Sequence, residues 1–457
     1  MKTLYFTSIV LFLLTVAACK KQDEWLDVKL NKSDVIPKVE EDFQALLDNT
    51  NRMNASYPAL GIVGCDNYYV SYSTWLAASL PIERMAYTWD ENVYQGITPF
   101  DWGDASLMVA FANVALEGWE KAEKKNSAAW NNIRGSSLFF RSYAFYNMLQ
   151  LFAPHYDSAT AAVDLGIQLR LSSDVNQRVG RSSTGDCYKK VTDDLREALL
   201  YLPAYPFYQS RPGKQAVYAL LARIYLDMEK YPAAVAYADS ALQMGTSLYN
   251  FSTDINSAVN RPFPVYPKNK EVIFYAESAV YGIASPSGFR AIIDSALYQQ
   301  YEANDIRRAA FFRVNNGLNY FKGTYTGSSY PFAGLAVNEL YLIRSEANVR
   351  TGHNMAALKD LNDLISTRYK PGTYVAFSSD SGEDILKKVI QERRKEMPFT
   401  SLRWADLKRL NRDSRFAVTL YRKLNGSDYV LPPNDKRYVL PIPDEEIRLS
   451  GVPQNPR

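Results

Sequence analysis

The chain has 457 residues, a formal net charge of +3, and 33 tyrosines against 21 phenylalanines and 7 tryptophans. That charge balance offers no basic field for nucleic acid. With only two histidines and three cysteines, the sequence contains no His-rich cluster, C-x-x-C pair, H-E-x-x-H, P-loop or G-x-S-x-G element, so no cofactor or metal site is expected and zinc and serine-hydrolase readings are poor. A glycosidase needs only two carboxylates, and nothing in the placement of the 49 acids recommends one. The length exceeds the ~250–300 residues that one ordinary core supports, which leaves two domains or an elongated helical array.

Lys2 followed by an apolar run over residues 4–14 reads as an export signal, ending in Leu14-Thr15-Val16-Ala17-Ala18-Cys19. The run is shorter than the ~20 apolar residues of a spanning helix, and no other run is longer. Small residues directly before Cys19 resemble the lipobox of bacterial lipoproteins, in which the cysteine becomes the acylated mature N-terminus. The expected division is a signal peptide over 1–18, a lipidated tether over 19–38, a helical-repeat region over 39–245, and a region over 246–457 packed with it as one unit. Cys65 and Cys187 could pair in an exported protein, but two cysteines make no disulfide framework.

A helix is predicted from Val39, with Phe43, Leu46 and Leu47 on one face. Residues 55–103 are rich in Tyr, Trp, Gly and Pro without a period and read as long loops around short strands. Helices follow to residue 245. Leu107, Ala110, Phe111, Val114 and Ala115 form one stripe, Leu138, Phe145, Met148, Leu149 and Phe152 the next, and a third helix runs over about 183–202. Tyr218-Ala219-Leu220-Leu221-Ala222-Arg223-Ile224-Tyr225 has the first-helix spacing of a tetratricopeptide repeat. Ala234 and Ala241 supply the small residues its second helix needs. A looser pair spans 338–368, with Gly352 in the turn and Ala357 and Leu364 beyond it. Residues 246–335 are again loop-like, with strands at 272–275 and 318–321, and two charged helices follow 382. The fold class is therefore mainly α, a tetratricopeptide-like scaffold with long loops and a few short strands.

Sugar rings lie flat on aromatic faces while their hydroxyls need Asn, Asp, Gln or Arg nearby. The stretch from Asp66 to Trp75 mixes both kinds of side chain, and Trp75, Tyr72, Asn67 and Asp66 are the first ligand-binding candidates. Tyr320, Tyr325 and Tyr330 in the 316–332 loop, with Tyr281 behind them, are the second. Trp102, Trp119, Trp130 and Trp404 fall in helical patterns and read as core. His155 and His353 read as solvated turn residues, and the run Glu392 to Glu396 as a solvated helix face.

Glu392-Arg393-Arg394-Lys395-Glu396 followed by Leu402-Arg403-Trp404-Ala405-Asp406-Leu407-Lys408-Arg409 resembles the C-terminal signature of the SusD/RagB family of Bacteroidetes nutrient-uptake lipoproteins. Leu440-Pro441-Ile442-Pro443-Asp444-Glu445-Glu446-Ile447 with Gln454-Asn455-Pro456 is similar to that family's closing motif. Arg141-Ser142-Tyr143, Asp193-Asp194-Leu195, Leu221-Ala222-Arg223-Ile224-Tyr225-Leu226, Asn338-Glu339 and Glu346-Ala347 match in the same order. Where members usually carry Phe-Glu-Gly, this chain has Met397-Pro398-Phe399-Thr400-Ser401-Leu402. The resemblance implies a non-enzymatic protein anchored through Cys19 in the outer membrane and facing outward. The acidic pair Asp23-Glu24 resembles the family's surface-export signal. Its implied partner is a SusC-like TonB-dependent transporter, to which it would deliver an oligosaccharide or, in some members, a peptide. A repeat scaffold that binds only proteins is the reading outside the family. The family's ligand loops are not shared, so the resemblance names no ligand-binding residue.

Overall fold

The computed structural model describes residues 37–123, 127–245, 247–286 and 288–457; the lipobox and Cys19 lie outside them. Among the described residues no helix is long and apolar enough to cross a membrane. Helix α1 (Glu40–Leu47) opens with three acids in its first turn, where they oppose the helix dipole, and Asp42 accepts the amides of Lys38 and Val39 at 2.9 and 3.2 Å. It buries Phe43 and Leu47.

Residues 55–103 differ from the long loops expected. They hold the two-residue strand β1 (Tyr68–Tyr69) and short helices, among them α2 (Tyr72–Leu76) and α3 (Pro81–Tyr87). Helices of five to seven residues make too few turns to display a 3.6-residue period. Ser71 caps α2 through the Thr74 amide, and Pro81 starts α3.

Helix α4 (Phe100–Lys121) exists as read, but of the predicted stripe only Ala115 is buried; the rest of the buried face is Ala105, Met108, Val109, Ala112 and Leu116, leaving Leu107 43% exposed. Apolar residues occupy several sides of this helix, and two stripes one residue apart fit the period equally well. Helix α5 (Ala128–Phe152) is buried without a break over 135–149 and forms the centre of the molecule. Trp102 and Trp404 are buried in the core; Trp119 and Trp130 are half-buried at its margin. Helix α6 (Thr184–Tyr201), capped by Ser183, packs on α5.

The repeat is formed by α7 (Lys214–Asp227) and α8 (Tyr231–Leu242), whose Ala234, Ala238 and Ala241 are fully buried. Helices α9 (Val337–Arg350) and α10 (Asn354–Ser366) turn at Gly352, where φ is +83°, and α8 packs on α9 so that the second pair stacks on the first. Helices α11 (Gly382–Glu396) and α12 (Leu402–Leu410) complete the scaffold. Strand β1 joins β2 (Ile292–Ile293), β3 (Phe312–Asn315) and β4 (Leu318–Phe321) in an antiparallel sheet of order β1-β2-β4-β3. Asn316 and Gly317, both at positive φ, make the tight β3–β4 turn. One hydrophobic core takes residues from Phe43 to Val452, drawing on both halves of the chain.

The scattered sequence motifs meet as buried ion pairs. Arg141 grips Asp194 at 2.8 Å, Arg223 grips Glu339 at 2.6 Å, Arg393 reaches Asp406 at 2.9 Å, and Arg409 reaches Glu346 at 3.0 Å. The run Glu392 to Glu396 is not a solvated face: Glu392, Arg393, Lys395 and Glu396 are buried. Arg307 contacts Asp305, Glu392 and Glu396 at 2.7, 2.7 and 3.0 Å, and Arg368 bridges Glu396 and Glu271 at 2.7 and 3.0 Å. Nor is His155 a solvated turn residue. Its side chain is buried, and burial lowers its pKa to about 4. His353 is exposed in its turn, with Nδ1 3.0 Å from the Thr351 hydroxyl. Cys65 and Cys187 are free and buried, and burial raises both thiols to about 11.

Candidate functional site

The 66–76 segment is held from behind by α12. Arg403 donates to both oxygens of Asp66 at 2.7 Å, and Arg394 approaches the same carboxylate at 3.1 Å. Burial would raise the Asp66 pKa, but the two guanidiniums outweigh it and hold the carboxyl well below the usual range. Asp66 is thus committed to the scaffold. Asn67 is 1% exposed, with neither amide atom hydrogen-bonded, while its carbonyl takes the Asp294 amide at 3.0 Å.

Strand alternation then divides the two tyrosines of β1. Tyr68 points inward, packing on Tyr87 and Phe399 and donating to the Val63 carbonyl at 3.0 Å, whereas Tyr69 points outward and is 42% exposed. Register places Tyr69, Ile292, Tyr320 and Arg313 in one row across the outer face of the sheet. Phe289, 49% exposed, meets Tyr320 edge-on at 5.1 Å, and the Arg313 guanidinium lies 4.3 Å from the Phe289 ring centre while donating to the Gly288 carbonyl.

Directly after β1, helix α2 presents Tyr72 and Trp75, one turn apart. Their rings stack at 5.8 Å and 24°. The Trp75 indole donates to the Arg84 carbonyl at 3.1 Å, and Arg84 donates to the Ala78 carbonyl at 2.8 Å, which locks the pair's orientation. Tyr72 stays exposed and Trp75 half-exposed. Tyr69, Tyr72 and Trp75 on one segment, with Phe289 and the Arg313 guanidinium stacked on it, make up an aromatic ledge.

The second group of tyrosines is dispersed. Tyr281 is buried and donates to Asp101 at 2.5 Å; Tyr325 is buried and donates to Glu271 at 2.6 Å. Both are buried because a carboxylate engages each hydroxyl; Tyr325 lines an inner cavity with Phe332, Asn338 and Phe399, and Tyr281 a smaller one with Ala59, Ile62 and Pro331. Tyr320 is mostly covered, with its edge under Phe289. Tyr330 is 48% exposed on a separate turn held by the hydroxyls of Thr324, Thr326 and Ser328. Sequence reasoning missed Tyr69, Phe289, Arg84 and Arg313. Period-2 alternation separates Tyr69 from Tyr68; no local signal marks the others. Among the described residues no group of three or more His, Cys, Asp or Glu side chains could hold a metal ion.

The departure at 397–402 has a local explanation. The chain turns at Phe399 with φ of +56°, a conformation glycine adopts freely, and its ring is fixed by stacking on Phe321 at 4.5 Å and by Tyr68 at 5.6 Å.

Residues 24–226 match a SusD-like family described as starch-binding associating with outer membrane, and residues 314–457 match the SusD family itself. A SusD-like protein P2 of Formosa agariphila is 24% identical over 435 residues, covering 80% of this chain and 81% of that one. A SusD superfamily crystal structure from Bacteroides thetaiotaomicron superposes with a TM-score of 0.71 at 21% identity, covering 92% of this chain and 100% of that one. A putative sugar binding protein from Bacteroides vulgatus gives 0.73 at 19% identity over 93% and 99%. A SusD-like carbohydrate binding protein from the same species gives 0.68 at 17% over 90% and 96%. With both family matches spanning most of its length and the helical scaffold shared throughout, this chain belongs to the SusD/RagB family, whose members associate with the outer membrane.

Proposed function

We propose that this protein is a surface lipoprotein that captures an oligomeric glycan and passes it to a SusC-like TonB-dependent transporter. The observation that carries the reading is the locked Tyr72–Trp75 stack, which follows the exposed Tyr69 along the chain. Aromatic faces that need no reordering bind sugar rings at low entropic cost, and the Arg313 guanidinium beside Phe289 offers donors to hydroxyls. In this reading residues 1–18 are removed, Cys19 is acylated, and residues 20–38 tether two halves, 39–245 and 246–457, that work as one lid. The repeat helices face the transporter and the ledge faces the ligand. The protein binds and does not turn over its ligand.

The test uses the soluble form lacking residues 1–19, titrated calorimetrically with oligosaccharides and, in parallel, with peptide pools. Trp75→Ala is expected to weaken glycan binding at least tenfold with the fold intact. Unchanged saccharide affinity in both Trp75→Ala and Tyr72→Ala would sink the glycan reading, and saturable binding of peptides alone would replace it with a peptide cargo. Pull-down of the membrane form in mild detergent without a large barrel partner would refute the transporter partnership.

A further inference from the structure

The ledge has two arms that come from distant parts of the chain. One is Tyr69, Tyr72 and Trp75, which follow Asp66 along β1 and α2; the other is Phe289, three residues before β2. The strands that join them pair over two residues only, Tyr68 with Ile293 and Tyr69 with Ile292. The Asp294 amide adds one bond, to the Asn67 carbonyl at 3.0 Å. A two-stranded pairing is marginal even at ordinary hairpin length, so a ladder this short needs side-chain support to fix how its flanks sit.

Arg394 supplies that support from behind. Its neighbours on α11, Arg393 and Lys395, turn into the buried charge network, while the Arg394 side chain is 17% exposed. Its Nη2 donates to the Asp66 carbonyl at 3.0 Å and lies 3.1 Å from the Asp66 carboxylate and 3.6 Å from that of Asp294. Asp66 is the root of the first arm, and Asp294 is the residue directly after β2. Arg403 reaches Asp66 alone, so among the described residues Arg394 is the one cation paired with both. Its removal leaves no buried charge unpaired. Arg403 keeps both oxygens of Asp66 at 2.7 Å. Asp294, its side chain 35% exposed, can be hydrated and still accepts the Leu297 amide at 2.9 Å. The tie between the arms is lost while the fold contacts stay.

Tyr69, Ile292 and Tyr320 lie in one row of the sheet, so Tyr69 on β1 and Tyr320 on β4 stand two strand spacings apart, about 10 Å. Phe289 sits against Tyr320, on the far side of that gap. A single sugar ring is about as large as one aromatic side chain and reaches one arm; an oligomer reaches both. We infer that Arg394 is the positioning residue that keeps the Phe289 arm in register with the Tyr69–Trp75 arm, so that the ledge selects oligomers long enough to engage both. The inference rests on the glycan reading above. Once one ring is seated, a later ring meets the second arm as an intramolecular partner, and that gain depends on the arms keeping a fixed spacing.

The soluble form lacking residues 1–19 is titrated calorimetrically with the disaccharide and the hexasaccharide of the malto-, cello-, xylo- and manno-oligosaccharide series. In the series that binds, the hexasaccharide is expected to bind at least about tenfold more tightly than the disaccharide. Arg394→Gln and Phe289→Ala should each cut that ratio at least about fivefold, whereas Trp75→Ala weakens both lengths. Because Arg394 acts through the Phe289 arm, the double variant should bind the hexasaccharide within about twofold of Phe289→Ala alone. Amide hydrogen exchange reads the same tie without a ligand: Arg394→Gln should exchange faster over 66–69 and 291–294 and unchanged elsewhere. Equal loss for both lengths, an additive double variant, or unchanged exchange over 66–69 would overturn the role of Arg394. Failure of every series to bind the unmutated protein would instead overturn the glycan reading, and this inference with it.

Discussion

The buried charge cluster behind the ledge makes a quantitative prediction. Asp305, Glu271, Glu392 and Glu396 are paired with Arg307, Arg368, Lys395 and Lys388, four acids against four bases, and all but Lys388 have fully buried side chains. Arg307→Met keeps the volume and leaves one uncompensated negative charge in the interior. Removing one partner of a buried pair typically costs ~3–5 kcal/mol, and Arg307 serves three carboxylates, so the upper end, about 5 kcal/mol, is expected. Adding Glu392→Gln restores the balance. Lys395 keeps Asp305 at 3.0 Å, and Lys388 can still donate to the amide oxygen at position 392, so three acids face three bases. The double variant is therefore expected to recover at least ~2 kcal/mol of that loss. Urea unfolding of the soluble form, followed by far-ultraviolet circular dichroism and tryptophan fluorescence, measures both. A single variant that costs under ~1 kcal/mol, or a double variant no more stable than the single, refutes the charge-balance argument.

Two further outcomes follow from buried groups. Burial pushes the Glu346 pKa up, but Arg409 and Arg350 outweigh it and hold the carboxyl at about 2. A carboxyl lowered on folding stabilises fully above its unfolded pKa near 4.5 and loses that contribution as pH falls toward 2, a span worth roughly 3 kcal/mol. Glu346→Gln should therefore destabilise at neutral pH and flatten the acid limb between pH 4.5 and 2; parallel stability curves for the two proteins would contradict this. Cys65 and Cys187, both buried and raised to about 11, should resist alkylation in the folded soluble form and react together once it unfolds in urea without reductant. Rapid labelling of either thiol in native buffer would show that its segment opens.

The repeat was legible because small residues at fixed spacing admit one explanation, and Ala234 and Ala241 are buried where that spacing needs them. Helix α11 was misread for the converse reason. Acids and bases at short spacing look alike on a solvated face and in a buried network, and what decides is a partner far along the chain. For Glu396 those partners are Arg307 and Arg368, and for Glu392 Arg307 again. The tyrosines pose the same problem. Tyr281 and Tyr325 stand in loop-like sequence as Tyr72 and Tyr330 do, yet Asp101 and Glu271 draw their hydroxyls inward. Only at Tyr68-Tyr69 does strand parity let the sequence separate inner from outer.

The C-terminal signature acquires a physical meaning from where its side chains end. Along one nine-residue helix, about 13 Å at 1.5 Å per residue, Arg403 holds Asp66 and Trp404 fills the space left by Gly61 and Gly64. A Cβ at Gly61 would stand 2.7 Å from the Trp404 Cβ, and one at Gly64 2.9 Å from its indole. Asp406 takes Arg393, Lys408 closes the end of α5, and Arg409 takes Glu346. Each of these contacts is to the scaffold or to the root of the ledge, and none is to an exposed aromatic face. A motif built this way identifies the scaffold while leaving the ligand open, since the side chains that meet solvent belong to 69–75 and 288–290.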